Sequence, residues 1–136
     1  MSSRLILYTA SSVSTPPGYS HAVQAAGLIF VSGQVSLDGD GSVVGVGDIG
    51  EQARQAFRNL GAVLEAAGAS FADLVKLTYF VRDINTVRAI RAARDEFVNT
   101  ANPPASTLVE VSRLFVPELL IEIEAVALAP QPTAGS

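Results

Sequence analysis

Hydrophobic positions along this chain change period several times, and each change marks the border of an element. Residues 4–9 (RLILYT) are a short apolar run of strand length, and residues 21–25 and 28–31 flank Ala26-Gly27 like the two arms of a hairpin. Residues 37–48 are rich in glycine and aspartate, which penalise both helices and strands. The first third of the sequence therefore predicts three strands and then a loop.

A helix is predicted to begin at Asp48, whose carboxylate can cap the first turn together with Glu51 three residues on. The apolar residues that follow recur at i, i+4, i+7, i+11 and i+14: Ala53, Phe57, Leu60, Leu64 and Ala67. This spacing forms one buried stripe on a helix, and Gly68 is expected to stop the helix.

The second half of the chain predicts a strand, a helix and two more strands. Residues 74–81 (LVKLTYFV) are typical of a central strand. Residues 85–98 predict a helix, because Val87, Ile90, Ala93 or Arg94, and Phe97 recur at helical spacing on one side. Pro103 and Pro104 forbid continuation of this helix. Residues 106–111 and 119–128 are predicted to be the last two strands. The order β-β-β-α-β-α-β-β predicts an α+β sandwich with both helices packed on one face.

Composition narrows the class of protein. A chain of 136 residues with 49% hydrophobic residues suffices for one core, so we expect a single domain over 1–136, with its core at about 4–129 and a flexible tail at 130–136. No apolar run approaches the ~20 residues of a membrane span, and the start of the chain lacks the apolar core of an export signal. We therefore expect a soluble, cytoplasmic protein without a membrane partner.

Charge and cysteine content exclude several kinds of chemistry. The sequence has no cysteine and one histidine, so thiol nucleophiles, thiolate metal sites and zinc clusters are not expected. The net charge of −4 argues against a nucleic-acid partner, because binding phosphates needs clustered Lys and Arg. The glycine-rich residues 43–47 do not follow a long strand into a GxGxxG turn, so no dinucleotide is expected. The prediction is of no metal and no cofactor.

The chain contains six notable segments, in this order: PGYSHAV (17–23), VSGQV (31–35), QARQAFRNLGAVLEAAGAS (52–70), VKLTYFVRD (75–83), PAST (104–107) and IEIEAVA (121–127). Their order and spacing are those of the YjgF/Rid family. The chain therefore resembles this family, also called reactive intermediate (imine) deaminase A or endoribonuclease L-PSP. The resemblance implies a chorismate-mutase-like α+β fold and a homotrimer whose sheets form a central β-barrel, with a ligand cleft at each subunit interface. It also implies hydrolysis of 2-imino and 2-enamino acids to 2-keto acids and ammonia.

The resemblance assigns roles to individual residues. Glu122 matches the glutamate that positions and activates water, so the resemblance implies that it is the catalytic residue. Tyr19, Ser32 and Gly33 match residues of the substrate cleft, although Pro17-Gly18 is inverted relative to the commoner Gly-Pro. The alternatives are that Tyr19 is a packing residue and that Ser32 is structural. Ser106 and Leu108 are assigned to substrate binding as well.

Ser106 is also the main departure from the family pattern. The family reads Pro-Ala-Arg-Ser/Thr where this chain reads Pro104-Ala105-Ser106-Thr107, so the arginine that grips the substrate carboxylate is absent. A neutral hydrogen bond contributes about 0.5–1.5 kcal/mol, whereas one to a charged group contributes roughly 1.5–3 kcal/mol. The standard activity on short 2-imino acids is therefore expected to be weak.

Arg91 stands where the family commonly has an asparagine facing the cleft, and we hypothesise that it supplies an anion contact from another wall. The alternative is that Arg88, Arg91 and Arg94 form a solvated stripe, with Asp95 paired to Arg91 at i, i+4.

Glu124 shares a strand face with Glu122 by the period of two, and it is either a second cleft carboxylate or a polar filler of the barrel. His21, on the same face as Tyr19, is either a cleft acid or base or a partly buried structural residue.

Three functions remain open at this point. The first is a Rid-family enzyme that deaminates an imine, an enamine or a related small metabolite without the standard carboxylate clamp. The second is a non-catalytic trimer that binds a ligand or a partner protein. The third, an endoribonuclease, fits poorly with an acidic chain that has no basic groove.

Overall fold

The computed structural model describes residues 5–131, which form a six-stranded sheet and two α-helices. The strands are Ile6–Tyr8 (β1), Ala22–Ala25 (β2), Leu28–Val35 (β3), Leu74–Val81 (β4), Ala105–Glu110 (β5) and Ile121–Leu128 (β6). The helices are Ile49–Ala66 (α1) and Val87–Arg94 (α2), and short 3₁₀ turns span Phe71–Asp73 and Ile84–Thr86. The tail expected at 130–136 lies largely outside the described residues.

The sheet runs in the order β1-β2-β3-β6-β4-β5, and its pairs are antiparallel except for the parallel pair β4–β5. The predicted order of elements is confirmed, and so is the α+β fold. The hairpin β2–β3 turns at Ala26-Gly27 as expected, with Ala26 at φ 51° and Gly27 at φ 79°. The last strand thus lies between β3 and β4, in the middle of the sheet.

The first helix follows its sequence signals closely. The Asp48 carboxylate accepts a hydrogen bond from the Glu51 amide at 3.0 Å, which satisfies one of the free donors of the first turn. All five residues of the predicted stripe are buried, and Phe57 and Leu60 are 0% exposed. The predicted cap and core face of α1 are confirmed.

The second helix is shorter than predicted. A 3₁₀ turn precedes it, and α2 ends at Arg94 instead of continuing to residue 98. The amides of Phe97 and Val98 both donate to the Arg94 carbonyl, so the chain tightens into a turn there. Phe97 nevertheless stays on the buried side, where its ring stacks on Phe57 with centroids 5.3 Å apart. The helix therefore ends early while Phe97 keeps its contact with α1.

The two faces of the sheet differ in character. Along β6 every second residue is buried beneath the helices, beginning with Ile121, whereas Glu122, Glu124, Val126 and Leu128 alternate on the other face. That second face carries exposed apolar side chains, among them Phe30 at 46% and Leu128 at 50% exposure. The helices therefore cover one face and leave a mixed apolar and carboxylate face open.

Neither helix within residues 5–131 combines the length and the apolar character that crossing a membrane would require.

Candidate functional site

A cavity of about 560 Å³ lies between α2 and the edge of the sheet formed by β4 and β5. It brings together three of the residues predicted to bind substrate, which are Arg91, Ser106 and Leu108. The other lining residues are Tyr79, Ile84, Val87, Ile90 and Arg94.

Strand pairing explains why Ser106 and Leu108 face this cavity. In the parallel pair β4–β5, Ser106 is aligned with Leu77 and Leu108 with Tyr79. Leu77 and Tyr79 point toward the helices and are 1% and 3% exposed. Aligned residues share a face of the sheet, so Ser106 and Leu108 also lie on the helix side.

The two arginines of α2 that line the cavity differ in their pairing with acidic groups. Arg94 donates from Nε and Nη2 to Oδ1 of Asp95, at 3.0 and 2.8 Å. Arg91 is exposed and forms no ion pair within 4.0 Å in the part of the chain from residue 5 to residue 131. The pair between Arg91 and Asp95 that the solvated-stripe alternative included is not formed, whereas the exposure of Arg88 and Arg91 agrees with that alternative. Arg91 therefore brings an uncompensated positive charge to the cavity.

Sequence reasoning missed Tyr79 and Arg94 as cavity residues. Arg94 follows Arg91 by three positions and so shares its helix face, which was a readable signal. The sequence marks Tyr79 only as part of a central strand, because its neighbours across the cavity come from α2 and β5. Burial raises the pKa of the Tyr79 hydroxyl to about 12.

Glu122 lies on the opposite face of the sheet, on β6 between Val35 of β3 and Phe80 of β4. Its side chain is half-buried, and burial raises its pKa, with a smaller contribution from the negative charge of Glu124. Glu124 itself is exposed on the same face. The predicted sharing of a face by these carboxylates is confirmed.

Gly33 is in close contact with Glu122. A Cβ placed on Gly33 would overlap the carboxylate of Glu122. The pairing of β3 with β6 shifts register between Val31 and Gln34, so Gly33 lies in an irregular stretch of the strand. The absent side chain leaves the space in which the Glu122 carboxylate lies.

Tyr19 and His21 lie near Gly33, but the side chain of Tyr19 is exposed whereas that of His21 is buried. Tyr19 is 54% exposed and follows Gly18, whose φ of +82° places it in the left-handed region. His21 is 2% exposed, and its Nδ1 accepts from the Ala10 amide at 2.9 Å. Its Nε2 must then carry the proton that is donated to the Ser14 carbonyl at 2.9 Å. Both ring nitrogens of His21 hold the loop after β1.

Ser32 uses its hydroxyl within the fold as well. Its Oγ donates to the Ser20 carbonyl at 2.6 Å, and its amide donates to the His21 carbonyl at 2.9 Å. Ser32 therefore fixes the segment that carries Tyr19 against β3.

Gln52 and Asn59 are buried polar residues of α1 that the sequence did not mark as functional. They hold the backbone just before β6 and at the end of β3 in place. The Gln52 amide donates to the carbonyls of Gly45 and Glu118 and accepts from the Leu120 amide, just before Glu122. Asn59 donates to the Val35 and Leu37 carbonyls at the end of β3, both at 2.9 Å.

The candidate residues thus form two groups separated by the sheet. Arg91, Ser106 and Leu108 line the cavity on the helix side, whereas Glu122 and Gly33 meet on the open side. The cation of Arg91 and the carboxylate of Glu122 therefore lie on opposite faces, and one copy of the chain does not bring them together.

Comparison with known proteins gives one consistent result. The family model described as endoribonuclease L-PSP matches residues 9–129. A RutC family protein of Synechocystis is 37% identical over 126 residues, covering 92% of this chain and 96% of the relative. A 2-iminobutanoate/2-iminopropanoate deaminase of Salmonella typhimurium is 38% identical over 112 residues, covering 81% of this chain and 86% of that enzyme.

The fold is likewise similar to that of solved structures. A protein of unknown function of the conserved Rid protein family from Yersinia pestis superposes with a TM-score of 0.85 at 32% identity, covering 93% of this chain and all of that one (100%). This similarity confirms the fold type that the sequence segments implied.

Proposed function

Because the chain belongs to the endoribonuclease L-PSP family, which is also called the YjgF/Rid family, we propose that it is a small-molecule enzyme of that family. In this proposal it hydrolyses the imine or enamine of an organic acid, or a related metabolite, in a cleft between subunits. The Salmonella relative named as a 2-iminobutanoate/2-iminopropanoate deaminase supports the reaction type.

The observation that carries the proposal is the separation of the two groups of residues by the sheet. The cavity with Arg91 and Ser106 opens on the helix side, and Glu122 lies on the other side. A complete site therefore needs a second copy of the chain, whose open face would bring its Glu122 to this cavity. In a homotrimer with the open faces turned inward as a barrel, the β5 edge that bears this cavity would meet the sheet of the neighbouring subunit, so the cleft between them would hold both groups, and Phe30 and Leu128 would be covered.

Glu122 has the properties of a water-activating base in this scheme. Burial and the nearby charge of Glu124 raise its pKa, which makes the carboxylate a stronger base than an exposed glutamate. Addition of water to the imine carbon gives a carbinolamine, from which ammonia leaves. In that first step Glu122 would take one proton from the attacking water and pass it to the imine nitrogen; transfer of the hydroxyl proton to the same nitrogen then forms the keto group as ammonia leaves.

The anion end of the cleft departs from the family pattern at Ser106. The Ser106 hydroxyl offers one neutral hydrogen bond where a guanidinium would hold a carboxylate with two. Arg91 lines the same cavity without an ion pair in residues 5–131, and we propose that it binds the acid group from α2. The carboxylate would then lie at a different place, so short 2-imino acids would be poor substrates.

The test is ammonia release from freshly generated 2-imino acids by the purified protein. Glu122→Gln keeps the shape of the side chain and removes the base, so ammonia release should fall at least tenfold. Sedimentation should show a trimer, and a monomer would remove the proposed site. Turnover of 2-iminobutyrate at the rate of arginine-bearing relatives would contradict the proposed effect of Ser106.

A second candidate is a non-catalytic trimer that binds a ligand or a partner protein. The loss of the arginine at Ser106 favours it, because a site can keep its shape after losing the clamp that catalysis needs. Absence of ammonia release from any imine tested, together with saturable binding of organic acids, would select this candidate.

A further inference from the structure

The hydroxyl of Tyr79 is buried without a hydrogen-bond partner among the described residues. The side chain is 3% exposed and lies in the wall of the cavity that contains Arg91 and Ser106. Buried polar groups almost always have a partner, because an unpaired one loses its bonds to water without replacement. The hydroxyl oxygen itself is covered in the free protein, so an acceptor on a ligand would be stabilised there once a neighbouring side chain of the cavity wall moved aside to admit it.

The position of this hydroxyl is fixed by its surroundings. The Tyr79 ring packs edge-on against Phe57 with centroids 6.1 Å apart, and its backbone is held in β4 beside Leu108. Because the pKa of the hydroxyl is raised to about 12, the group stays protonated at neutral pH. It can therefore donate a hydrogen bond but does not act as a base or an anion there.

A second cavity of about 260 Å³ adjoins the first, and Tyr79, Arg94 and Ser106 line both. At this end the charge of Arg94 is compensated by Asp95, so the wall is polar but close to neutral. The positive charge lies at the other end, on Arg91. The two ends thus match different groups on a ligand, an anion at Arg91 and a neutral acceptor at Tyr79.

We infer that Tyr79 is a specificity-determining residue of the cleft, which selects monocarboxylates that carry a neutral carbonyl or amide oxygen along their chain. The inference rests on the proposed function, because it takes Arg91 as the contact for the carboxylate. Ligand pockets for drug-sized molecules span roughly 300–1,000 Å³. A cavity of about 560 Å³ therefore has room for an acid larger than a four-carbon imino acid.

The test is calorimetric titration of the full-length oligomeric protein with two acids, 5-oxohexanoate and 5-methylhexanoate. They have the same chain length and differ in a carbonyl oxygen replaced by a methyl group. The wild-type protein should bind 5-oxohexanoate about two- to tenfold more tightly, which corresponds to one net neutral hydrogen bond. In Tyr79→Phe this preference should disappear, while the affinity for 5-methylhexanoate stays unchanged.

Two arginine variants separate this inference from the proposed function. Arg91→Ala should weaken both acids by the same factor, and Arg88→Ala, on the same helix but outside the cavity, should weaken neither. If Arg91→Ala has no effect while Tyr79→Phe still removes the preference, the anion contact is wrong and the donor role stands. No binding of either acid, no preference in the wild type, or an unchanged preference in Tyr79→Phe would each overturn the inference.

Discussion

Gly33 and Glu122 are in such close contact that a side chain on the first would occupy the place of the carboxylate of the second. They come from strands that pair across an irregular register, β3 and β6. The position of the proposed base therefore depends on the absence of a single methyl group on the neighbouring strand.

Gly33→Ala should displace the Glu122 side chain and lower ammonia release at least tenfold. The overlap involves a flexible side chain, so the cost in unfolding free energy should stay near 1 kcal/mol, at the low end for overpacking. Gly50→Ala is the matched control, because a Cβ there meets its nearest atom at an ordinary 3.6 Å. Full activity of Gly33→Ala with Glu122 in its original place would contradict this role of Gly33.

The pH dependence of activity should report Glu122. Its pKa is raised above the ordinary value of 4.5, first by burial and then by Glu124, and the base acts only when ionised. Ammonia release should therefore rise with pH through a midpoint above 4.5. Glu124→Gln should move that midpoint down, because it removes the smaller of the two causes. An unchanged midpoint in Glu124→Gln would exclude coupling between the two carboxylates.

Stability should depend on the same group with a defined sign. A raised pKa means that the folded protein binds more protons at Glu122 than the unfolded chain does, so this contribution favours folding at low pH. It is complete below the unfolded pKa and is lost as the pH rises through the folded pKa. Urea unfolding of wild type and Glu122→Gln should show the wild type losing stability relative to the variant over that window. If the wild type instead gained stability relative to Glu122→Gln as the pH rises, the pKa of Glu122 would be lowered by folding.

Ser106→Arg should restore the family's carboxylate contact and increase turnover of 2-iminobutyrate at least tenfold, mainly through a lower KM. The reason is that a charge-assisted bond to a carboxylate contributes roughly 1.5–3 kcal/mol, against about 0.5–1.5 kcal/mol for the hydroxyl. Ser106→Met is the control for side-chain length without charge, and it should show no gain. Equal rates for both variants would mean that charge at this position is not limiting.

His21→Ala should be destabilising. The substitution leaves the Ala10 amide and the Ser14 carbonyl without the ring that pairs them, and each buried unsatisfied group costs about 1–3 kcal/mol. We expect the free energy of unfolding to fall by about 2–4 kcal/mol in urea titration. A loss of activity with unchanged stability would instead support a catalytic histidine.

Much of the fold could be predicted because its signals are local. Asp48 and Gly68 border a helix whose apolar residues recur every three to four positions, and the bounds predicted for β4 are those of the structure. The end of α2 could not be predicted in this way. Val98 continues the apolar pattern, but stacking of Phe97 on Phe57 accompanies an early turn, and that contact joins distant parts of the chain.

For the candidate site, the sequence by itself determined which chemical groups are available: a serine in place of an arginine at 106, a carboxylate at 122 and a new cation at 91. Only the tertiary structure decided which of them meet. The parallel pairing of β4 with β5 places Ser106 and Leu108 beside α2, and the insertion of β6 into the sheet puts Glu122 on the opposite face. The alternation along β6 records which residues share a face, but strand order is set by long-range packing, and for that reason no local pattern in the chain records which strands are neighbours.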